Sequence, residues 1–427
     1  MVRMAVGLFL WMSPTLLAAF DCSFSSSYPR QYVAYKTDRA LVIDGELDDD
    51  AWTAVAATER FVDISTQTLP RLSTHVKIRW DDEFLYVGAI LEEPQAFANI
   101  SSTCHCLNAS QDQVIFHDND FEVFIDAAGT THFYKEFEMN ALNATWDLQL
   151  NRAYDDGGGE NSSRVFGPAG WDYELPVGRP ATLHSAVYVH GSVNNPAVGS
   201  SYWSAEIAFP LSKLVENTPA QLPIRPGTFW RINFSRVQWA VQVVKGQYWK
   251  QGERRPSLSH ADRSAIGSIM LSCWASAAAC QSCPVPGAHN EDNWVWSPMG
   301  AIAMHLPERW GMLQFADGAV NATAPVWNDE WPARAAAAAV YYAQHAYAAA
   351  HNGSFTSSVG DLLPYLDSAS IVDGTCTQGV PVRLEASGNT TSKAAARFTA
   401  TVPPSPLSPG VSAQIDDLRY LVVTRST

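Results

Sequence analysis

The chain has 427 residues, 47% of them apolar, and its 28 Lys and Arg against 43 Asp and Glu give a formal net charge of −15. This length predicts two domains with a substantial core. The acidic balance argues against nucleic acid and anionic membranes as partners, because both are bound chiefly through basic patches. It also disfavours sulfated or uronate-rich glycans, so we expect a neutral ligand.

Residues 1–19 have the pattern of a cleaved secretory signal peptide. Arg3 precedes an apolar run that ends in small residues. The alternative, a membrane anchor, is disfavoured because the run is short and is broken by Ser13 and Pro14. No later segment reaches the roughly 18 to 20 apolar residues of a transmembrane helix. We therefore expect a secreted, extracellular protein without membrane insertion.

Sequons and cysteines favour the same compartment. N-x-S/T sequons occur at Asn99, Asn108, Asn143, Asn161, Asn233, Asn321, Asn352 and Asn389. The cysteines are Cys22, Cys104, Cys106, Cys273, Cys280, Cys283 and Cys376. Together they predict a glycoprotein with disulfides, and the odd number leaves at least one cysteine without an intrachain partner. Cys280 and Cys283 have half the spacing of a zinc site, but a loop disulfide explains them more simply.

Strand patterns dominate the chain up to about residue 320. HVKIRWDDEFLYVGAILEE predicts a hairpin whose second strand, apolar on both faces, lies centrally in a sheet. DFEVFIDAAGTTHFYKEFEMN predicts two further strands that place Glu122, Glu138 and Asn140 on one polar face. In FWRINFSRVQWAVQVV the alternation slips near Ser235, which predicts a bulge. Short strands without long periodic helices predict a mainly β, antiparallel sandwich.

A different composition begins after residue 320. Residues 321–332 contain a sequon and two prolines and are predicted to be a linker. WPARAAAAAVYYAQHAYAAAHNGS predicts an α-helix, and VPVRLEAS, ARFTATV and DLRYLVV predict three short strands. Residues 333–427 are therefore expected to form a small α+β domain, to which the sequence assigns no role.

Seven motifs between about residues 31 and 316 resemble family 9 carbohydrate-binding modules, which places such a domain at residues 31–320. In chain order the motifs are LVIDGELDDDAW, IRWDDEFLYVGAIL, DNDFEVFIDA, EFEMNALNATWDLQL, WSAEIAFP, WRINFSRVQW and NWVWSPMGAIAMHLPERWGMLQF. The resemblance implies a jelly-roll-like β-sandwich that holds a terminal sugar between two aromatic rings, often with calcium nearby. Such modules are commonly attached to glycoside hydrolases, which implies a part in carbohydrate catabolism.

The resemblance also implies a set of sugar-binding residues. Phe116, six residues before Glu122, takes the place of the first stacking ring, and Met304, six residues before Trp310, takes that of the second. Glu138 stands where members of the family have Arg. The expected sugar-binding residues are Phe116, Glu122, Glu138, Asn140, Trp146, Trp296, Met304 and His305. We expect Trp310 to lie in the core, and a site built from Trp146 and Trp171 on another face is the alternative.

Two other functions compete with glycan binding. Glu122 and Glu138 are the candidate catalytic acids of a glycoside hydrolase, although acids at alternate strand positions are common on solvated surfaces. Met304 and His305 invite comparison with sandwiches that hold haem b, but neighbours on a strand point to opposite faces and cannot both ligate one iron. We expect binding rather than catalysis, and Ca²⁺ as a cofactor at Asp118 and Asp120, whose oxygens suit that ion.

Overall fold

A computed structural model describes residues 20–100, 114–163, 182–251, 291–387 and 396–426, with the side chains of 160–163 left out. The predicted signal peptide, Trp171 and the Cys280–Cys283 pair lie outside these ranges. None of the helices in the described ranges combines the length and apolar character needed to cross a bilayer.

The described residues form nineteen β-strands and four α-helices. The strands are β1 (Gln31–Lys36), β2 (Val62–Asp63), β3 (Thr74–Trp80), β4 (Phe84–Glu92), β5 (Asp120–Asp126), β6 (Tyr134–Asn140), β7 (Thr145–Leu150), β8 (Glu160–Ser163), β9 (His184–Gly191), β10 (Ser200–Pro210), β11 (Phe229–Gln238), β12 (Val241–Val244), β13 (Gln247–Lys250), β14 (Asp292–Val295), β15 (Gly311–Ala316), β16 (Arg383–Ser387), β17 (Arg397–Val402), β18 (Val411–Asp416) and β19 (Leu421–Arg425). The α-helices are α1 (Asp50–Thr53), α2 (Leu211–Leu214), α3 (Trp331–Ala350) and α4 (Val359–Leu362). Short 3₁₀ helices cover Ser25–Ser27, Ile115–His117, Tyr154–Asp156, Pro307–Arg309, Leu363–Tyr365, Ala369–Ile371 and Thr375–Thr377.

One long sheet forms the first domain, in the order β8-β7-β6-β5-β11-β15-β1-β3-β4-β10-β9, with β14 joining β11 to β2. Its pairs are antiparallel, except that β1 is parallel to both β15 and β3. The predicted mainly antiparallel β-sandwich is confirmed, with β1 as the exception, because this strand lies between β15 and β3 and runs in their direction. The sheet curls, so that its two halves form the layers of a β-sandwich.

The two layers share one apolar core. In β5, the side chains of Phe121, Val123 and Ile125 point into it, as the alternation in the sequence predicts. Phe137 of β6 meets Phe209 of β10 from the other half of the sheet, with ring centroids 5.4 Å apart. Every second residue of β5 and β6 is thereby left on the opposite face of the sheet.

Two details of the predicted strands can be compared with the structure. The β3–β4 hairpin is confirmed, and β4 lies between β3 and β10 as a central strand. No bulge occurs at Ser235, because the register of β11 with β5 is unbroken there. Instead, β11 changes its other neighbour, from β15 at Phe229–Ile232 to β14 at Ser235–Gln238.

The C-terminal part combines α3 with the sheet β16-β17-β18-β19 around its own core. The predicted helix is confirmed: Val340 and Ala343 are fully buried on its inner face. The strand prediction missed β18 and began its last strand too early. The reason is a tight turn before β19, in which Arg419 has a positive φ of 67°.

Arg419 also connects the C-terminal part to the sandwich. Its buried guanidinium lies 3.0 Å from a carboxylate oxygen of Asp156 and 3.3 Å from one of Glu308. Tyr341 and Tyr342 of α3 donate hydrogen bonds to Asp156 and Glu308, respectively. A disulfide between Cys22 and Cys376 makes a second, covalent connection to the beginning of the chain.

Candidate functional site

A cleft of about 300 Å³ opens over the outward face of β5, β6 and β7. Six of the residues predicted from the sequence line it: Phe116, Glu122, Glu138, Trp146, Met304 and His305. The structure adds Phe124, Glu136, Tyr154 and Glu291 among the lining residues. A depression of about 480 Å³ beside Lys36 and Asp82 is larger but is lined by no aromatic ring.

The strand register places the central polar residues in one row across the sheet. Glu122 of β5 lies directly opposite Glu138 of β6. On one side Glu138 lies opposite Trp146 of β7, and on the other Glu122 lies opposite Ser235 of β11. Residues paired in this way project from the same face, with Cβ atoms about 4.5–5.5 Å apart. Two carboxyl groups therefore lie side by side next to a large aromatic ring.

A third carboxyl group, that of Asp120, joins this pair from two residues earlier on β5. One oxygen from each of Asp120, Glu122 and Glu138 lies within 4.8 Å of the others. All three residues are buried, with 1%, 6% and 2% of their surface exposed, respectively. Asp120, Glu122 and Glu138, called the acid cluster below, therefore bring carboxyl oxygens close together with little access to solvent.

Burial changes the acidity of the cluster. It raises the pKa of the Glu122 carboxyl to about 7. The pKa of Glu138 is raised well above its ordinary range, first by burial and then by the negative charges of Glu122 and Glu136. Burial and the neighbouring charge of Glu122 also raise the pKa of Asp120 well above its ordinary range. At neutral pH the three carboxyls therefore resist being ionised together.

The opposite wall of the cleft is a loop that Trp310 holds in place. The indole N–H of Trp310 donates a 2.8 Å hydrogen bond to the carbonyl of Met304, and its ring packs 5.6 Å from that of Phe124. Trp310 is fully buried, as expected. Because residues 300–306 form no strand, both Met304 and His305 line the cleft. The parity argument used against joint ligation of an iron is therefore wrong for this loop.

His305 is held neutral by its surroundings. Its Nδ1 lies 2.9 Å from the hydroxyl of Tyr134. Burial lowers the pKa of the His305 imidazole to about 4. At neutral pH the cleft therefore receives an uncharged imidazole from this wall.

Aromatic rings border the cleft at three further places. Phe116 lies in the 3₁₀ helix Ile115–His117. Its backbone carbonyl accepts a hydrogen bond from the Trp239 indole N–H. Trp146 is partly exposed on β7 and lies opposite Glu138, so it lines the same cleft as Phe116, whereas Trp171 of the alternative site lies outside the described residues. Tyr154, 47% exposed, packs 4.6 Å from the His305 ring. Sequence reasoning missed Tyr154, although an aromatic residue beside the turn-forming Asp155-Asp156-Gly157 was a usable signal.

The structure places two expected sugar-binding residues away from the cleft. Trp296 is fully buried in the sandwich core, and its ring lies so close to Gly311 that a Cβ there would approach it to 2.2 Å. It therefore has no face for a ligand. Asn140 is also fully buried, and its amide holds loops together by donating to the Ile100 carbonyl and to Asp118. Its own carbonyl oxygen accepts from the backbone of Leu142 and Ala144.

Asp118 has a structural role of the same kind. Its carboxylate accepts backbone hydrogen bonds from Asn99 and Ile100, in addition to that from Asn140. These bonds occupy it, and Asp118 is not part of the acid cluster. Of the two expected calcium ligands, only Asp120 therefore belongs to the acid cluster.

Comparison with known families gives this geometry a context. Residues 43–169 match the model of a family described as carbohydrate family 9 binding domain-like. This part of the chain is therefore similar to family 9 carbohydrate-binding domains. It contributes β2 to β8, and with them Phe116, the acid cluster and Trp146, whereas Met304 and His305 reach the same cleft from later in the chain.

The solved structures that match this chain do so with low sequence identity and low TM-scores. A family 9 carbohydrate-binding module from Caldicellulosiruptor kristjanssonii in complex with cellotriose is 14% identical, with a TM-score of 0.33, over 70% of this chain and 100% of the module. The same kind of module in complex with glucose is 13% identical, with a TM-score of 0.33, over 69% and 100% of the two chains. No curated protein sequence matches this chain significantly. The family match is what supports a carbohydrate-binding role.

Proposed function

We propose that this is an exported protein that binds the end of a glycan in the cleft over β5, β6 and β7. The observation that carries the proposal is the row of Glu122, Glu138 and Trp146 in the family 9-like domain. Sugars present C–H surfaces that pack on aromatic rings and hydroxyls that need hydrogen-bonding partners. The row offers both kinds of group within one cleft.

The other walls give the proposed site its shape. Trp146 forms one aromatic platform and Phe116 a second surface, while Met304 and the neutral His305 close the side formed by the loop. A carboxylate that accepts a hydroxyl hydrogen bond contributes roughly 1.5 to 3 kcal/mol. Glu122 and Glu138 therefore supply the main polar contacts in this account.

Export is supported by the covalent structure. The Cys22–Cys376 disulfide favours an oxidising compartment, since such bonds are rare in the cytosol. The sequon asparagines Asn321 and Asn352 are exposed, which suits glycosylation. Asn233 is fully buried and donates to the Ser297 carbonyl, so we expect it to remain unmodified.

Hydrolysis is less well supported by the geometry. A glycosidase places an ionised carboxylate and a protonated acid about 5 to 9.5 Å apart on either side of the bond to be cleaved. Glu122 and Glu138 instead lie side by side on the floor, and burial raises the pKa of both. Binding without bond cleavage is the function that this arrangement favours.

A glycan-array screen of the full secreted chain, with and without calcium, tests the proposal. The best ligand is then titrated calorimetrically into variants of the two side walls. We expect Phe116→Ala to weaken binding and Met304→Trp, which adds a second large ring, to tighten it. Trp327→Ala is the control, because Trp327 is 44% exposed and stacks on Tyr28 outside the cleft. Hydrolysis of array glycans or a Soret band in the pure protein would instead favour the hydrolase or haem alternative.

A further inference from the structure

The acid cluster contains buried oxygens that lack partners. Oδ2 of Asp120 and Oε2 of Glu138 accept no hydrogen bond from any described residue. The Ser235 hydroxyl is fully buried opposite Glu122 in the strand register and interacts with the Glu122 carboxyl. Leaving a buried polar group unpaired is costly, and more so when the group is charged. Two such oxygens in one cluster call for a physical explanation.

Among the described residues, Asp120, Glu122 and Glu138 form no ion pair with a basic side chain. Among the described residues that line the cleft, none is Lys or Arg, whereas Glu136 and Glu291 add further carboxyl groups. The largest charge effects on Glu138 come from the negative charges of Glu122, Glu136 and Asp120. A bound cation would supply the positive charge that the described part of the cleft lacks.

The distances between the carboxyl oxygens indicate which class of ligand would fit the cluster. Ca²⁺ binds oxygens at about 2.3–2.6 Å, so two oxygens on opposite sides of the ion are up to about 5 Å apart. The three carboxyl groups each offer an oxygen within 4.8 Å of the others. A set made only of oxygen donors suits hard divalent cations rather than zinc or copper.

We propose that Asp120, Glu122 and Glu138 bind a divalent cation, best matched by Ca²⁺, on the floor of the cleft. The Ser235 hydroxyl is placed to add a fourth oxygen. Because Glu122 and Glu138 also line the cleft, the remaining coordination positions face the space in which a ligand would lie. A second part of the inference, which rests on the proposed function, is that sugar hydroxyls complete the coordination and that glycan binding requires the cation.

Metal titration of the full secreted chain in the absence of sugar tests the site. The chain is first stripped with a chelator and then titrated with CaCl₂ by calorimetry. We expect one Ca²⁺ per chain at this site, with a Kd of about 1 mM or lower, the range of extracellular calcium modules. TbCl₃ provides a second readout, because Trp146 lies next to Glu138 and should sensitise terbium luminescence.

Conservative variants connect the binding to the cluster. Asp120→Asn and Glu138→Gln should each weaken Ca²⁺ binding at least tenfold and remove the terbium signal. Asp82→Asn is the control, because the Asp82 carboxyl is exposed, pairs with Lys36 and lies outside the cleft; it should change the affinity less than threefold. If either variant fails to fold, the rise in the wild-type melting temperature with CaCl₂ and its loss in Ser235→Ala still test the site.

Each contrary result has a defined meaning. No calcium or terbium binding up to several millimolar, or equal binding by wild type and Glu138→Gln, overturns the metal site. Binding of glucosamine but not of Ca²⁺ would assign the cluster to an organic ammonium group and also overturn it. Glycan binding that persists in excess chelator would contradict the second part alone, whereas calcium binding without any glycan ligand would leave the metal site standing and contradict the proposed function.

Discussion

Glu122 and Glu138 face each other directly across the β5–β6 pair, both almost completely buried. Like charges in this relationship disfavour the strand pairing that brings them together. The pair is therefore tolerated in the fold only with protons or a cation to offset its charge. The effect of the charge of this pair on stability can be measured without any glycan.

Glu138→Gln should stabilise the metal-free protein at pH 8. The amide keeps the shape of the side chain but cannot ionise. Burial raises the pKa of the Glu138 carboxyl well above its ordinary range, so ionising it costs stability in the folded state. One pKa unit corresponds to about 1.4 kcal/mol, so we expect the free energy of unfolding to rise by about 1 kcal/mol or more. Urea unfolding in excess chelator measures it. A loss of stability would show that the Glu138 carboxylate has a favourable partner.

Trp146→Ala should weaken glycan binding more than Trp146→Phe. The alanine variant removes the platform, whereas phenylalanine keeps a smaller ring at the same place on β7. An aromatic contact of this kind contributes about 0.5 to 1.5 kcal/mol beyond its buried area. Calorimetry with the best array ligand gives the two affinities. Equal affinities for both variants and wild type would remove Trp146 from the site.

His305→Gln should reduce the sensitivity of stability to acid. The folded-state pKa of His305, about 4, lies below its usual value of 6.5. Between these pH values the unfolded state binds the extra proton, so the wild type loses stability, up to about 3 kcal/mol, as the pH falls from 6.5 to 4. The variant should lack this contribution. Urea unfolding between pH 4 and 6.5 measures the free energy of unfolding of each protein, with His190→Gln, at an exposed histidine, as the control. The same pH dependence in wild type and His305→Gln would contradict the prediction.

Arg419→Met should destabilise the protein by about 3 to 5 kcal/mol. The change leaves the buried carboxylates of Asp156 and Glu308 without their shared cation. Arg425→Met is the control, because Arg425 is 53% exposed and pairs with Asp329 at the surface, where an ion pair contributes about 1 kcal/mol or less. Denaturant unfolding compares the two variants. Equal losses would show that the buried cluster does not hold the two parts of the chain together.

The two-residue period of the strands predicted which side chains form the floor of the cleft, but it did not predict which residues form the walls. Alternation in DFEVFID and YKEFEMN placed Glu122 and Glu138 together, since a period of two fixes the face on which each strand side chain lies. Trp294 and Trp296 do share a face, as expected, but that face is the core. Parity alone could not distinguish the core from the cleft, because apolar residues occur on both faces of this segment.

Sequence reasoning was least able to place residues whose positions depend on loops or on long-range contacts. Tyr154 and the loop at Met304 owe their positions to turns and to packing against Trp310, which no local period encodes. Asn140 has the correct parity, yet its amide is occupied by backbone groups of neighbouring loops. The contact of Arg419 with Asp156 joins residues 263 positions apart in the sequence.

Calorimetric titration of the best array ligand into wild type and Glu122→Ala tests the central claim most directly. Glu122 lies in the middle of the row, between Ser235 and Glu138, and lines the cleft. We expect the variant to lose about 1.5 to 3 kcal/mol of binding free energy, the contribution of a hydrogen bond to a charged acceptor, while circular dichroism shows the same fold. Unchanged affinity in a folded Glu122→Ala protein would contradict the placement of the glycan over this row.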